Sequence, residues 1–309
     1  MSRRLAVTHA GGPLAEALLE QFQESGIKPD SLVLLDREDR VGKRITWGDS
    51  WLHVEDQHDF DYEDLAGVLL LEADAELVDL LQHADCPVLS HLPLVEQAPL
   101  FTGAGCPLPE QGFVKLPAAE LATVLPALQA LDQRAGLESL HLVSIVSAMH
   151  LGQTGVDDLA TQTIGLLNSR DIDAGVFPQP LAFNLIPVPP GSDDELLQLI
   201  GGDRIRLGQQ QLLAPAFHGL AIAAALRLRR ELDLEQAENA LREAGFRFSD
   251  EAVSPRSHCQ QGSDSWVAQL QQPQQDAQGL QFWVVADSVK NGTLHFYREA
   301  AEILLKSVL

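Results

Sequence analysis

The stretch Arg4-Leu5-Ala6-Val7-Thr8-His9-Ala10-Gly11-Gly12-Pro13-Leu14-Ala15-Glu16-Ala17-Leu18-Leu19 decides how the chain folds. Arg4–Thr8 reads as a short buried strand, the Gly-Gly-Pro run as a turn, and Pro13–Glu24 as a helix with apolar residues at helical spacing. Outward from it, Ser31–Leu35, Gly67–Leu71 and Cys86–Leu89 are further short apolar runs, with a helical stretch over Asp74–His83. Short Val- and Leu-rich strands alternating with amphipathic helices predict parallel βαβ units and a doubly wound α/β sheet. From His91 to Leu116 the pattern dissolves into a Pro- and Gly-rich loop.

A helix over Ala118–Gln133 follows, with Leu121, Leu125, Leu128 and Leu131 on one stripe. Beyond it Leu140–Val146 reads as a strand, and Gln153–Leu167 as a helix with Val156, Leu159 and Ile164 turned inward. Leu220–Leu228 is strand-like, and Asp233 caps a helix over Leu234–Glu243 that stops at Gly245. Trp266–Leu270 and Leu280–Ala286 flank a Gln-rich loop, and Leu294–Lys306 closes the chain as a helix. The expected organisation is a Rossmann-type domain over residues 1–117, completed by a C-terminal helix over 290–309, and an α+β domain over 118–289.

A chain of 309 residues suffices for two such cores. Its 44 acidic and 21 basic side chains give a formal net charge of −23, a field that repels phosphate backbones and anionic headgroups. Neither nucleic acid nor a membrane surface is therefore expected as a partner. Cys86, Cys106 and Cys259 make no disulfide framework and suit a reducing compartment. The short apolar run before His9 is too brief for a signal-peptide core, so the cytoplasm is the expected location.

The first strand–turn–helix corner is where a dinucleotide would sit. Glycines let the backbone approach a pyrophosphate, and the helix N-terminus presents oriented N–H groups to it. Only Gly11 and Gly12 remain of such a loop, and Pro13 lacks an N–H. Asp36 ends the second strand where an acidic residue would hold ribose hydroxyls, with Arg37, Arg40 and Lys43 close by. Gly11, Gly12, Asp36 and Lys43 are the candidate cofactor-binding residues. The alternative is an ordinary corner with Asp36 polar at a strand end, and a loop this depleted predicts no bound cofactor, with NAD(P) as the rival expectation.

The later segments are more specific. Val143-Ser144-Ile145-Val146-Ser147-Ala148, Gly152-Gln153-Thr154-Gly155-Val156-Asp157-Asp158-Leu159, Pro180-Leu181-Ala182-Phe183-Asn184-Leu185-Ile186-Pro187 and Phe282-Trp283-Val284-Val285-Ala286-Asp287-Ser288-Val289 resemble segments of the aspartate-semialdehyde dehydrogenase family. So does Gly262-Ser263-Asp264 with the strand after it. Leu137 to Asp158 and the ending are especially similar to its Usg branch. The resemblance implies NADP-dependent conversion of aspartyl phosphate to the semialdehyde, and a homodimer paired through sheets of the second domain. In that chemistry a cysteine forms a thioacyl intermediate, a histidine serves as acid/base, and an arginine and a glutamine orient substrate.

Carried over one position at a time, these roles are not met. The nucleophile position falls on Ala119, or on Lys115 with the gap placed differently, and no cysteine occurs between Cys106 and Cys259. The histidine position in Pro215-Ala216-Phe217-His218-Gly219-Leu220-Ala221 is Leu220, with His218 two residues early. The arginine position is Leu213 and the glutamine position is Ser147. The two asparagines on the nicotinamide side fall on Ser288 and Phe296. His83, Cys86 and His91 have a metal-like spacing, but Cys86 sits in an apolar run and reads as core. Cys106 and the His258-Cys259 pair are isolated thiols with no helix N-terminus after them to lower their pKa.

The expected function is an aspartate-semialdehyde-dehydrogenase-like protein without dehydrogenase activity, acting as a homodimeric scaffold, with room for a further protein partner. The rival readings are an NAD(P)-dependent oxidoreductase of amino-acid (Lys/Thr/Met) biosynthesis using non-standard residues, and a small-ligand sensor.

Overall fold

The computed structural model describes residues 3–48, 50–72, 74–92, 94–95, 97–103, 106–200, 204–249, 251–259 and 264–306. The chain divides into two compact units, Met1–Ala118 with Thr293–Leu309, and Ala119–Gly292.

The first unit opens as the alternation predicts: β1 (Arg4–Val7), α1 (Pro13–Glu24) and β2 (Leu32–Asp36). Pro13 occupies the first turn of α1, where a missing N–H costs nothing, and Ala15, Leu18, Leu19 and Phe22 form its buried stripe. There follow β3 (Arg44–Trp47), β4 (Ser50–Asp56), β5 (Leu65–Leu69), α2 (Ala75–Leu81), β6 (Pro87–Ser90) and β7 (Gly112–Lys115). Asp74 caps α2 by accepting the Leu77 N–H at 2.8 Å. The seven strands lie in the order β3-β4-β2-β1-β5-β6-β7, all parallel except β3, which runs antiparallel to β4. The order turns back between β1 and β5, and a crevice forms at the carboxyl ends of strands at such a reversal.

Three of these strands depart from the expectation. The loop predicted for His91–Leu116 contains β7, and the β3–β4 hairpin gave no apolar run. β3 and β7 are the sheet edges and β3 with β4 is largely exposed, so burial never selected the hydrophobic signal that marks β2 and β5.

The second unit begins with α3 (Ala119–Ala135), whose stripe Leu121, Leu125, Leu128 and Leu131 is buried. Then come β8 (Leu137–Val146), α4 (Gly152–Leu167), β9 (Ile186–Val188), α5 (Asp193–Ile200), β10 (Arg206–Leu213) and β11 (Leu220–Leu228). The remainder is α6 (Leu234–Glu243), β12 (Phe246–Phe248), α7 (Pro255–His258), β13 (Ser265–Gln271) and β14 (Gly279–Ala286). Asp233 and Gln236 form a reciprocal capping box at the start of α6. The sheet order is β12-β13-β14-β11-β8-β10-β9, with parallel and antiparallel pairs. Neither β10 nor α5 was expected: Arg206-Leu207-Gly208-Gln209-Gln210-Gln211 is too polar to read as a strand next to an edge. Ile164 is a further correction, since it is 59% exposed on α4 while Leu159 is buried.

The chain returns to the first unit through α8 (Leu294–Lys306), which buries Leu294, Phe296, Tyr297, Ala300, Ala301 and Leu304. Tyr297 anchors it: its hydroxyl donates to the Leu70 carbonyl at 2.7 Å and lies 3.0 Å from His91 Nδ1. Among the described residues no helix is long and apolar enough to cross a membrane.

Candidate functional site

At the carboxyl end of β1 the backbone rises through Thr8, His9 and Ala10 to α1. His9 holds a φ of 52° and its ring is buried, with no hydrogen-bond partner for Nδ1. Burial pulls its pKa below the ordinary histidine value, against the carboxylates of Glu72 and Asp36.

Asp36 is fully buried at the end of β2. Its Oδ2 accepts the Gly11 N–H at 2.7 Å, its Oδ1 accepts the Arg37 N–H at 2.8 Å, and the Arg40 guanidinium lies 3.4 Å from Oδ2. A Cβ on Gly11 would stand 3.0 Å from both Asp36 Oδ2 and Arg40 Cδ, so a larger residue there would have to push this pair aside. The Gly12 N–H donates to the His9 carbonyl at 3.0 Å, and Pro13 has no N–H. Residues 11, 12 and 13 therefore offer no free donor to an anion. Glu72 adds negative charge: its Oε1 is 3.4 Å from where a Cβ on Gly12 would stand. A dinucleotide pyrophosphate needs free amides, and residues 11–13 supply none, which leaves to it only the first-turn amides of Leu14 and Ala15 on α1. Lys43 is exposed ahead of β3, its own N–H bonded to the Arg40 carbonyl at 3.2 Å.

The second unit brings three of the resemblance positions together. Strand β8 lies between β10 and β11, and its Val146 pairs with Leu213 on one side and Leu220 on the other. These residues form one row across three strands, with Leu213 and Leu220 only 2% and 1% exposed. Ser147, the next residue of β8's run, is buried with its hydroxyl unpartnered. Two residues back along β10, buried Gln211 places Nε2 3.2 Å from His150 Nε2, while its Oε1 has no partner. The positions that the resemblance assigns to a substrate arginine and a histidine thus hold core leucines, and a leucine offers neither proton nor charge. Ala119 opens α3 against Gly292, where an added Cβ would stand 2.6 Å from the Ala119 carbonyl oxygen. Phe296, at an asparagine position, is buried edge-on against Phe101 with centroids 6.0 Å apart.

The remaining nucleophile and base candidates stay apart. Burial, with Asp287 adding to it, pushes the Cys259 thiol up to about 12, the opposite of an activated thiolate. His258 next to it is occupied by Ser257 Oγ at 2.6 Å and stacks edge-on with Trp266. His218 is exposed on the loop between β10 and β11. Cys86 is buried in the first core, where burial raises its pKa to about 11, and His91 turns to Tyr297. Among the described residues no group of three His, Cys, Asp or Glu side chains could hold a metal ion. Two polar groups absent from the sequence reading belong to the sites. Gln211 and Glu72 lie beside the others only through strand pairing, which local spacing does not reveal.

A doubly wound sheet ending in a strand–turn–helix corner, together with a mixed seven-stranded sheet, defines the two-domain dehydrogenase class of fold. The chain belongs to the semialdehyde dehydrogenase family: residues 128–290 match the model described as "Semialdehyde dehydrogenase, dimerisation domain". Over its whole length it is similar to aspartate-semialdehyde dehydrogenase 2 of Vibrio cholerae, at 25% identity covering 98% of this chain and 97% of the relative. It is similar too to a USG-1 protein homolog of Pseudomonas aeruginosa, at 27% identity covering 99% and 98%. The solved structure of a probable aspartate-semialdehyde dehydrogenase from Pseudomonas aeruginosa superposes with a TM-score of 0.84 at 23% identity, covering 100% of both chains.

Proposed function

We propose that this chain is a non-catalytic member of its family, serving as a homodimeric scaffold. The observation that carries this reading is the buried row Leu213–Val146–Leu220 beside Ser147, in a protein with alanine at the nucleophile position. Thioacyl chemistry needs a thiolate, a base and a cation for the substrate carboxylate, and these positions supply none. The closed glycine turn supports the same reading from the cofactor side.

Self-association is supported by exposed apolar groups inside the matched region. Ile164 and Leu167, three residues apart on α4, are 59% and 73% exposed, and Phe183 and Leu185 on the following loop are 70% and 60% exposed. Gln162 fixes that loop to α4: its Oε1 accepts from Leu181 and Ala182, and its Nε2 donates to Asp173 and Ala174. A rigid apolar surface of this kind is a docking face. Sedimentation of the purified chain at micromolar concentration is expected to give a dimer that Ile164→Glu with Leu167→Glu splits into folded monomers. Calorimetry with millimolar NADP+ or NADPH is expected to give no heat of binding; saturable binding of either cofactor, or a monomeric parent, overturns the reading.

A further inference from the structure

The face of the second sheet opposite its core carries a hollow. Phe282 and Val284 of β14 are buried in the core, so Trp283 and Val285 turn to the other face. Trp283 pairs with Ala223 on β11 and Ala268 on β13, so its cross-strand neighbours rise no higher than a methyl group beside the indole. Residues 251–255, which lead into α7, form the facing wall. Between them is a cavity of about 550 Å³, within the size range of small-ligand sites. Ala221, Ala268, Trp283 and Val285 from the sheet, with Val253 and Pro255 opposite, make its lining mainly apolar. The whole lining belongs to the second unit, and neither the glycine turn nor the leucine row is part of it.

Strand β13 is distorted at this wall. Successive residues of a strand turn to opposite faces, yet Ala268 and Gln269 both line the cavity. The cause is a bulge: between the Ala268–Trp283 and Gln271–Gln281 pairs, three steps along β13 oppose two along β14. Gln269 holds a φ of 51°, a left-handed conformation that costs a residue other than glycine free energy. The distortion adds nothing to the ladder, and its result is a primary amide at a cavity walled by hydrocarbon and an indole.

The polar groups on the wall divide in two. Ser249 Oγ accepts the Glu251 N–H at 3.1 Å, and Ser254 Oγ lies 2.8 Å from Ser257 Oγ, so both hydroxyls are engaged. The exposed side chains of Gln269 and Glu251 make no hydrogen bond or ion pair among the described residues. Glu251 is the only charged residue of the described lining, in a chain of net charge −23. This field disfavours an anion and draws a cation. An indole with a carboxylate on the same cavity fits a ligand that carries both a flat ring and an ammonium group.

We propose that this cavity binds a small aromatic amine, its ring against Trp283, its ammonium toward Glu251, and Gln269 Oε1 accepting an N–H. The site is independent of the non-catalytic reading.

Calorimetric titration of the full chain with tryptamine tests it, with indole-3-acetate as the control that keeps the ring and reverses the charge. Saturable binding of one tryptamine per chain is expected, and none of indole-3-acetate. Glu251→Gln, at an exposed side chain, is expected to weaken tryptamine about fivefold, the worth of one exposed ion pair. Ala268→Leu, which fills the space beside Trp283, is expected to abolish binding with the chain still folded by its unfolding midpoint. Glu235→Gln, exposed on α6, is expected to change nothing. No saturable heat at millimolar tryptamine, equal binding of indole-3-acetate, unweakened binding in Glu251→Gln or Ala268→Leu, or equal weakening in Glu235→Gln overturns the proposal.

Discussion

At the mouth of the first sheet, Asp36 draws in the Gly11 amide and Arg40, and Glu72 stands over Gly12. At the end of the second sheet, Leu213, Val146 and Leu220 pack side by side across three strands. The first region is polar and held by hydrogen bonds and charge; the second is part of the core. The two kinds of closure differ in consequence. A polar closure leaves buried atoms without hydrogen-bond partners, His9 Nδ1 and Gln57 Oε1. An apolar closure satisfies itself by burial, so it stabilises the fold and specifies nothing.

That difference gives unequal expectations for mutation. In the second region Leu220→Ala removes a fully buried side chain and is expected to cost about 2–5 kcal/mol, read as a lowered denaturation midpoint. A cost under about 0.5 kcal/mol would mean that the row is a vacant site and not core. In the first region Asp36→Ala strands the Gly11 and Arg37 amides and should cost about 1.5–3 kcal/mol in urea unfolding. If Asp36→Ala instead gains NADP+ affinity, the turn is closed by that carboxylate alone, and the role given to Glu72 is withdrawn.

The smallest effect concerns pH. Burial pulls His91, beside Tyr297, down to about 4, so the folded state holds it neutral where the unfolded chain protonates near 6.5. The unfolded state then binds more protons between these values. The contribution is complete above about pH 6.5 and is lost as pH falls toward about 4, on the order of 1 kcal/mol after solvent screening. Unfolding curves measured across that window should flatten in His91→Gln; an unchanged slope would remove His91 from the account. His9 shifts in the same direction for the same reason, so the first unit carries more of the acid sensitivity than the leucine row.

The sequence made the fold legible where burial imposed a pattern. The runs around Leu32–Asp36 and Leu65–Leu69 are buried at every position and read as strands, and α1, α6, α8 and β11 were bounded at the same residues that the structure shows. Exposed or edge-side strands such as Arg44–Trp47 and Arg206–Leu213 carry polar residues and gave no such signal. The sites were legible in part. Motif matching placed Ser147, Leu213 and Leu220 in three distant segments, and strand pairing explains why they meet. The capture of Gly11 by Asp36 and the approach of Glu72 to Gly12 were not legible. They depend on β2 and β5 ending on either side of β1, a contact between residues 25 and 60 positions apart that no local spacing encodes.

The central claim is that both regions are closed to dehydrogenase chemistry. The most direct measurement is formation of NADPH from NADP+ with aspartate semialdehyde and phosphate, at protein concentrations high enough to see single turnovers. The account predicts no reduced nicotinamide above the rate without protein. Clear turnover that Cys259→Ala or His218→Ala abolishes would contradict it, showing that a displaced thiol or histidine does what Ala119 and Leu220 cannot.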